Sequence, residues 1–471
     1  MTTRQIPSYP DLMAARGIFG AAVYLPRRRL DRAAIAAVAG RGGGTGTRSV
    51  AGYDEDTTTM GVEAARAVLQ ATATAVPDVL WFATATPAYA DKTNATAIHA
   101  ALQLRRHVGA FDVNGSVRSS MGALFAAMTG RGTHLVVSAD LRGGLPGGPD
   151  EAAFGDGAAA LLVGDEADGQ LLAEAIGGGR ATEEFLDRWR TPGDVRSKVW
   201  EERFGETRYV PLGRAAWDDA LASAGLTADQ VRRVAIAGTH GRAVTALAKQ
   251  LDVGDRLVGT ELAASIGNLG AAQPAALLTA LLDRSEPGDV VALIVLADGA
   301  DVVLFRTTEA LMYWTPGPRV AEAAAAGASV DYGTFLRWRG LLPVEPPRRP
   351  EPARPSASAS GRSTDWKFGF VGSRGDDGAV HLPPQPGEAT AWPMADTAGT
   401  IVTFTVDHLA YSPSPPVVFA VVDFDGGGRL PVELTDVDLD QVKIGARVEL
   451  TFRKLFTADG IHNYFWKARL V

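Results

Sequence analysis

Residues 111–124, FDVNGSVRSSMGAL, read as a strand end, a run of small residues and the start of an Ala/Leu helix. A turn of this kind presents one side chain at a helix N-terminus, where the helix dipole favours a thiolate or an oxyanion. The residue so presented is Val117, which can neither attack nor carry a proton. Ser116 precedes it, and Ser119 and Ser120 follow. A serine nucleophile there would need a general base, because an alcohol is far less acidic than a thiol. Otherwise these hydroxyls cap or pack the helix. The chain has no cysteine, which excludes a Cys nucleophile, a disulfide and a thiolate metal site.

Two further groups could do chemistry. His240 lies in RRVAIAGTHGRAVTALAKQL (232–251), between a strand-like and a helix-like run. A loop imidazole can move protons or donate to an oxyanion, and beside a glycine it can equally hold the loop by local hydrogen bonds. Asn268 lies in GNLGAAQP (267–274). Its amide can stabilise developing negative charge or simply close a tight turn.

These residues are far apart in sequence, so the elements around them must bring them together. Residues 17–310 alternate short apolar runs with Ala-rich helical stretches. The strand expectations are 17–26, 79–87, 133–140, 158–165, 232–238, 290–298 and 300–306, and the clearest helices are 57–71 and 215–225. Such alternation predicts a layered α/β domain. FGDGAAALLV (154–163) resembles LADGADVVLF (296–305), and GSVRSSMGALFAAM (115–128) resembles GNLGAAQPAALLTALL (267–282), which suggests two related halves.

After residue 310 the character changes. Residues 320–343 read as helical, and VEPPRRPEPARPSASASGRS (344–363) as an extended linker. Runs at 400–412, 416–434, 446–456 and 462–471 have β patterning, with GGG at 426–428 as a hairpin signal, and predict a small all-β barrel. The domain expectation is therefore 1–310, a connecting 311–365, and 366–471. The chain of 471 residues is 46% hydrophobic with a net charge of -8, which argues against a nucleic-acid binder. Without a signal-like N-terminus or a membrane-length apolar window, a cytoplasmic protein is expected.

Together these motifs resemble the thiolase superfamily, nearest to ketoacyl synthase III and hydroxymethylglutaryl-CoA synthase. The resemblance rests on GIFGAAVYLPRRRL, DEDTTTMGVEAA (54–65), FDVNGSVRSSMGAL, VVSAD, FGDGAAALLV and GNLGAAQPAALL, in the family's order. The C-terminal region resembles the OB-fold partner of thiolase-like enzymes, here fused. The resemblance implies an αβαβα fold of two related halves followed by an OB-type barrel. It also implies a pocket for acyl groups on coenzyme A or a phosphopantetheine carrier protein, with no other cofactor.

The family's chemistry uses a Cys nucleophile with a His and an Asn that stabilise an enolate or oxyanion. On this sequence the ungapped match puts Val117 at the Cys position, leaving Ser116 as a shifted alternative. Aligned on Arg242, the family His falls on Ala237 and His240 on the motif's Asn, whereas a small gap would make His240 the family His. Asn268 falls on the oxyanion-binding Asn. The Glu that serves hydroxymethylglutaryl-CoA synthases as a base is replaced by Ala85 or Thr86. The catalytic candidates are thus Asn268, His240 and Ser116, and the substrate-binding candidates are Arg242, Ser119 and Thr86. Arg48 and the RRRL tract (27–30) are further candidates for phosphate contacts. The family's zinc ribbon is represented by GSRGDDGAVHLPPQPGEATAWP (372–393) without its cysteines, so no metal is expected.

Three functions fit this pattern: carbon–carbon bond or acyl-transfer chemistry on thioesters without a Cys, an inactive partner of a working ketosynthase, or a Ser-dependent condensing enzyme. Loss of the nucleophile suggests a specialised, polyketide-type pathway. The resemblance implies a homodimer across the nucleophile strand or a heteromer with a ketosynthase-like chain, with neither nucleic acid nor membrane as a partner.

Overall fold

The computed structural model describes residues 16–471 except Ala73, Thr74, Pro316 and Glu388. The stretch before Arg16, read above as lacking a signal, lies outside the described residues. Nine strands form the main sheet: β1 Arg16–Tyr24, β2 Val79–Thr84, β3 Gly109–Asn114, β4 His134–Asp140 and β5 Gly157–Asp165. They continue with β6 Ala173–Ala181, β7 Arg233–Gly238, β8 Val290–Leu296 and β9 Ala300–Thr307. The principal helices are α1 Thr57–Ala71, α2 Ser119–Thr129, α3 Glu202–Ala224, α4 Gly241–Gln250 and α5 Gln273–Asp283.

The strand order is β7-β8-β9-β6-β1-β5-β4-β2-β3. One half is β1-β5-β4-β2-β3, and the other, β6-β9-β8-β7, repeats it strand for strand apart from the edge strand β3. In both halves the two pairings nearest the centre of the sheet are antiparallel and the next one, toward the edge, is parallel. They join where Gly17 and Ile18 pair with Glu174 and Ala173. The two motif pairs read from the sequence occupy matching places: β5 answers β9, and α2 answers α5.

Strand periodicity explains the layering, because successive side chains point to opposite faces. Leu161 and Val163 of β5 and Val303 and Phe305 of β9 face a common layer containing α2 and α5. Their neighbours Ala160 and Leu162 face α1, whereas Val302 and Leu304 face α3 and α4. The result is αβαβα.

Strand β6 has no strand-like pattern in the sequence, and its AEAIGGGRA shows why. Helix α3 lies so close that a Cβ at Gly179 would sit 2.1 Å from the carbonyl oxygen of Ala216. Glycine is required there by proximity, at the expense of strand propensity.

Residues 320–343 are not one helix. Helices Val320–Ala325 and Tyr332–Trp338 flank a strand, Ala328–Val330, that pairs with 28–30. The segment read as an extended linker contains the helix Ala357–Arg362. A three-stranded sheet of 371–374, 380–381 and 390–393 occupies the ribbon position. It is held by a hydrogen bond from the Gln385 amide to Ser373 Oγ (2.9 Å) and by Arg374 over Trp392 (4.7 Å).

The last strands, β10 Gly399–Asp407, β11 Val417–Phe424, β12 Arg429–Leu434, β13 Arg447–Ala458 and β14 Ile461–Leu470, close a barrel. It docks on the Asp54-Glu55-Asp56 turn and helix α1 through buried charge. Asp54 accepts from Thr435 Oγ1 (2.8 Å) and pairs with Lys467 (3.0 Å), a lysine that is fully buried. Glu55 meets Arg453 (3.2 Å) and Asp56 accepts from Tyr464 (2.8 Å). Glu63 accepts from the Phe452 amide (3.1 Å) and faces Arg469 (3.7 Å).

Burial alone would push the Asp54 and Glu63 carboxyls up. Lys467 and Arg453 around the first, and Arg66, Arg469 and Arg453 around the second, more than offset that and hold both below the ordinary carboxylate range. Folded values below unfolded values of about 4 make this stabilisation complete at neutral pH. It drains as pH falls through the native values, so acid unfolding monitored by tryptophan fluorescence should show the barrel's attachment weakening below about pH 4. Lys467→Met, which leaves Glu433 without its cation and Asp54 with Arg453 alone, should cost about 3–5 kcal/mol in denaturant unfolding. Adding Asp54→Asn should recover part of that loss.

Candidate functional site

Strand β3 ends at Asn114, Gly115 turns the chain at φ 122°, and a turn through Val117 leads into α2. Val117 is 8% exposed and forms part of the floor of a cavity of about 560 Å³. The turn holds itself: the Ser116 amide donates to Ser119 Oγ (3.3 Å), and Ser120 Oγ donates to the Val117 carbonyl (2.9 Å). Arg118, the next residue, crosses to the other half, with its guanidinium on Asp301 (2.8 and 3.2 Å) and on the Asp298 carbonyl (2.6 Å).

The first half contributes Thr86, Asn114, Ser116 and Val117 to the cavity, and the second contributes Tyr209, Thr239 and Asp298. A short hairpin around 188–199 forms a third wall. There Arg188 grips Asp150 with both terminal nitrogens (2.9 and 2.7 Å), and Arg190 donates to the Ala85 carbonyl (2.8 Å).

Thr86 and its neighbours are set by Asp140, which is fully buried. One Asp140 oxygen accepts from Thr84 Oγ1 (2.9 Å), the Ala85 amide (2.7 Å) and Thr86 Oγ1 (3.2 Å). The other accepts from the Ala271 amide (2.8 Å) and faces Arg142 (3.3 Å). No carboxylate occupies the Ala85–Thr86 position, and Thr86 offers only a hydroxyl already committed to Asp140.

The other candidate residues are distributed unevenly. Ser116 and Thr86 line the cavity with Val117, and Ser119 supports the turn behind them. His240 and Asn268 do not line it. His240 caps α4: its Nδ1 accepts from the Ala243 amide (3.0 Å) and its Nε2 lies 2.7 Å from the Glu202 carbonyl. Those two bonds assign the proton to Nε2 and leave no nitrogen free. Asn268 donates to the Gly238 carbonyl (2.8 Å) and accepts from the Gly270 amide (2.9 Å), which closes the turn before α5.

Arg242 pairs with Glu206 (3.2 Å) on the surface of α3 and α4. Arg48 is fully buried against Asp156 (3.2 Å) and the Glu151 and Arg142 carbonyls. In the RRRL tract, Arg27 and Arg28 face Asp438 of the barrel (2.8 and 3.7 Å), and Arg29 holds backbone carbonyls. The arginines that do reach the cavity, Arg142, Arg188 and Arg190, have no motif that marks them in sequence. Tyr209 and Asp298 were likewise unmarked, although Asp298 sits in the second copy of the Asp-Gly-Ala turn.

A layered αβαβα body with a strand-to-helix turn at the floor of its cavity, followed by a closed five-stranded barrel, is a thiolase fold with an OB-fold domain. The family model of the ChsH2 C-terminal OB-fold domain matches residues 392–453. The chain is 26% identical to the hydroxymethylglutaryl-CoA synthase of Methanopyrus kandleri, over 69% of this chain and 97% of that protein. The solved structure of PksG, a hydroxymethylglutaryl-CoA synthase from Bacillus subtilis, is similar with a TM-score of 0.58 at 17% identity, covering 69% of this chain and 89% of that one. 3-Oxoacyl-(acyl carrier protein) synthase III from Pseudomonas aeruginosa is similar with a TM-score of 0.52 at 21% identity, covering 63% and 99%.

Because the chain has no cysteine, Val117→Cys creates a single reporter of the cavity floor. Iodoacetamide should add one carbamidomethyl group by intact mass, faster than to a free thiol, since the helix start lowers the thiol pKa. His240→Ala should cost about 1 kcal/mol of stability as a lost helix cap. Asn268→Ala should cost about 1–3 kcal/mol through the stranded turn groups. Both losses would be read in thermal unfolding.

Proposed function

We propose that this chain binds acyl thioesters of coenzyme A or of a phosphopantetheine carrier protein in the cavity above Val117. On them it performs carbon–carbon bond or acyl-transfer chemistry without an acyl-enzyme, within a specialised, polyketide-type pathway. The observation that carries this reading is a cavity of about 560 Å³ whose polar lining survives on both halves while its floor is aliphatic. The relatives' names point the same way, since one acts in coenzyme A chemistry and another on acyl carrier protein. Ser116 reaches the cavity, but among the described residues its hydroxyl meets no His, Asp or Glu that would activate it.

A second reading, a non-catalytic partner of an active ketosynthase, is favoured by one observation: His240 and Asn268 are consumed by structural bonds. In either case the assembly surface is β3, the edge of the nine-stranded sheet, where Phe111 is 50% exposed. A second copy or a ketosynthase-like chain completes the sheet there. No helix among the described residues is long and apolar enough to cross a membrane.

Calorimetry with acetyl-CoA and with an acetylated carrier protein should show saturable binding, and intact mass after incubation should show no acyl adduct. An adduct on Ser116 would overturn the non-covalent reading in favour of a Ser-dependent enzyme. Turnover of a β-keto or β-hydroxy thioester supports the catalytic reading, while binding without turnover, with a ketosynthase co-purifying, supports the partner reading. Phe111→Arg should shift the sedimentation coefficient from a dimer's to a monomer's.

A further inference from the structure

The two halves carry the same Asp-Gly-Ala turn, and the two aspartates have opposite fates. Asp156, before β5, is fully buried: it accepts from the Arg142 and Ala51 amides (2.7 and 2.8 Å) and pairs with Arg48 and Arg339. Its counterpart Asp298, before β9, is exposed and lies in the wall of the cavity. Asp298 adopts a left-handed φ of 48°, a conformation few side chains tolerate, and its backbone is pinned on both sides. Its carbonyl accepts from Arg118 Nη1 (2.6 Å), and its amide donates to the hydroxyl of Tyr209 (3.3 Å). A neutral residue would satisfy the same backbone bonds, so the carboxylate is not needed to hold the turn.

Tyr209 completes the arrangement. It is 2% exposed, its ring packs edge-on against Phe185 (4.9 Å), and it lines the cavity. Its hydroxyl oxygen already accepts from the Asp298 amide, so the phenolic proton remains to be given. Among the described residues no acceptor takes it. A carboxylate-bearing residue and an O–H donor thus adjoin in the wall of a cavity whose floor is aliphatic, joined from amide to hydroxyl at 3.3 Å.

We infer that Asp298 and Tyr209 are the proton-transfer pair of this cavity: Asp298 takes a proton from the α-carbon of a bound acyl thioester while Tyr209 hydrogen-bonds the thioester oxygen. This rests on the thioester-binding reading given above. In the step the α C–H bond breaks and its proton forms an O–H bond on the Asp298 carboxylate. The electron pair moves through the C–C bond onto the carbonyl oxygen, where the Tyr209 O–H stabilises the enolate. Return of the proton regenerates the thioester, so no co-reactant is needed for exchange. The desolvating walls push the Asp298 carboxyl above its ordinary value, which makes it a better base than a surface aspartate, and Arg118 tempers that rise. The enolate so formed is the nucleophile that carbon–carbon chemistry requires, and it is reached without acylating the protein.

The test follows deuterium incorporation at the α-carbon of acetyl-, butyryl- and octanoyl-CoA in D2O by proton NMR, beside calorimetric binding of the same thioesters. The wild-type chain should bind and exchange. Asp298→Asn, which keeps the left-handed turn because Asn tolerates it, and Tyr209→Phe should each bind within about twofold and lose about 100-fold or more of the exchange rate. Binding without exchange in the wild type, or exchange undiminished in both variants, would overturn the pair and leave thioester binding standing. Absence of binding to all three thioesters would overturn the pair and the binding reading together.

Discussion

One buried carboxylate, Asp140, organises the cavity. It is fully enclosed, and a desolvated anion persists only where donors surround it. Here they come from two directions: Thr84, Ala85 and Thr86 at the end of β2, and Ala271 just before α5. The first set belongs to one half of the body and the second to the other. Arg118 makes the complementary tie, reaching from the elbow of the first half to Asp298 and Asp301 in the second. These two ties, one centred on a carboxylate and one on a guanidinium, hold the two halves of the body together beside the cavity.

That arrangement explains how the pocket persists although its floor is Val117. The interhalf ties hold the walls of the cavity, and position 117 contributes only what it can pack. Valine is apolar and β-branched, fits the common layer of α2 and α5, and leaves the turn to be held by Ser119 and Ser120. His240 caps α4, and Asn268 closes the turn before α5. Both side chains satisfy backbone atoms, so the polar groups presented to the cavity come from other residues of the two halves and from the 188–199 hairpin.

Much of this organisation was legible in the sequence where local physics decides it. Helix α1 has the extent expected for 57–71, and in the structure Asp56 and Thr59 close a capping box ahead of it. The buried strands β8 and β9 are continuous apolar runs, and the barrel strands alternate. Strand β6 was not legible, because its Gly177 and Gly179 answer to helix α3 lying against them, a long-range fact. The same holds at the site. Val117, Ser116, His240 and Asn268 could be named from their motifs, but the partners that engage His240 and Asn268 include the carbonyls of Glu202 and Gly238, which any sequence would supply. Arg48 looked like a phosphate ligand only until its burial against Asp156 was seen.

The fused barrel follows from the same reasoning about charge. Segment 372–393 has no cysteine, and the contacts that set where the barrel sits lie elsewhere. The Asp54-Glu55-Asp56 turn supplies them, since each carboxylate meets a barrel partner: Lys467, Arg453 and Tyr464. Charges buried at an interface give register more than affinity, because any displaced pairing leaves an ion without a partner. The barrel hairpin is thereby placed so that the His462 amide donates to Tyr89 (2.8 Å), on the 85–94 loop that carries Thr86. Asp56 caps helix α1 and binds the barrel with the same carboxylate, so the loop at the mouth of the cavity, the first helix of the body and the C-terminal domain share one electrostatic reference point.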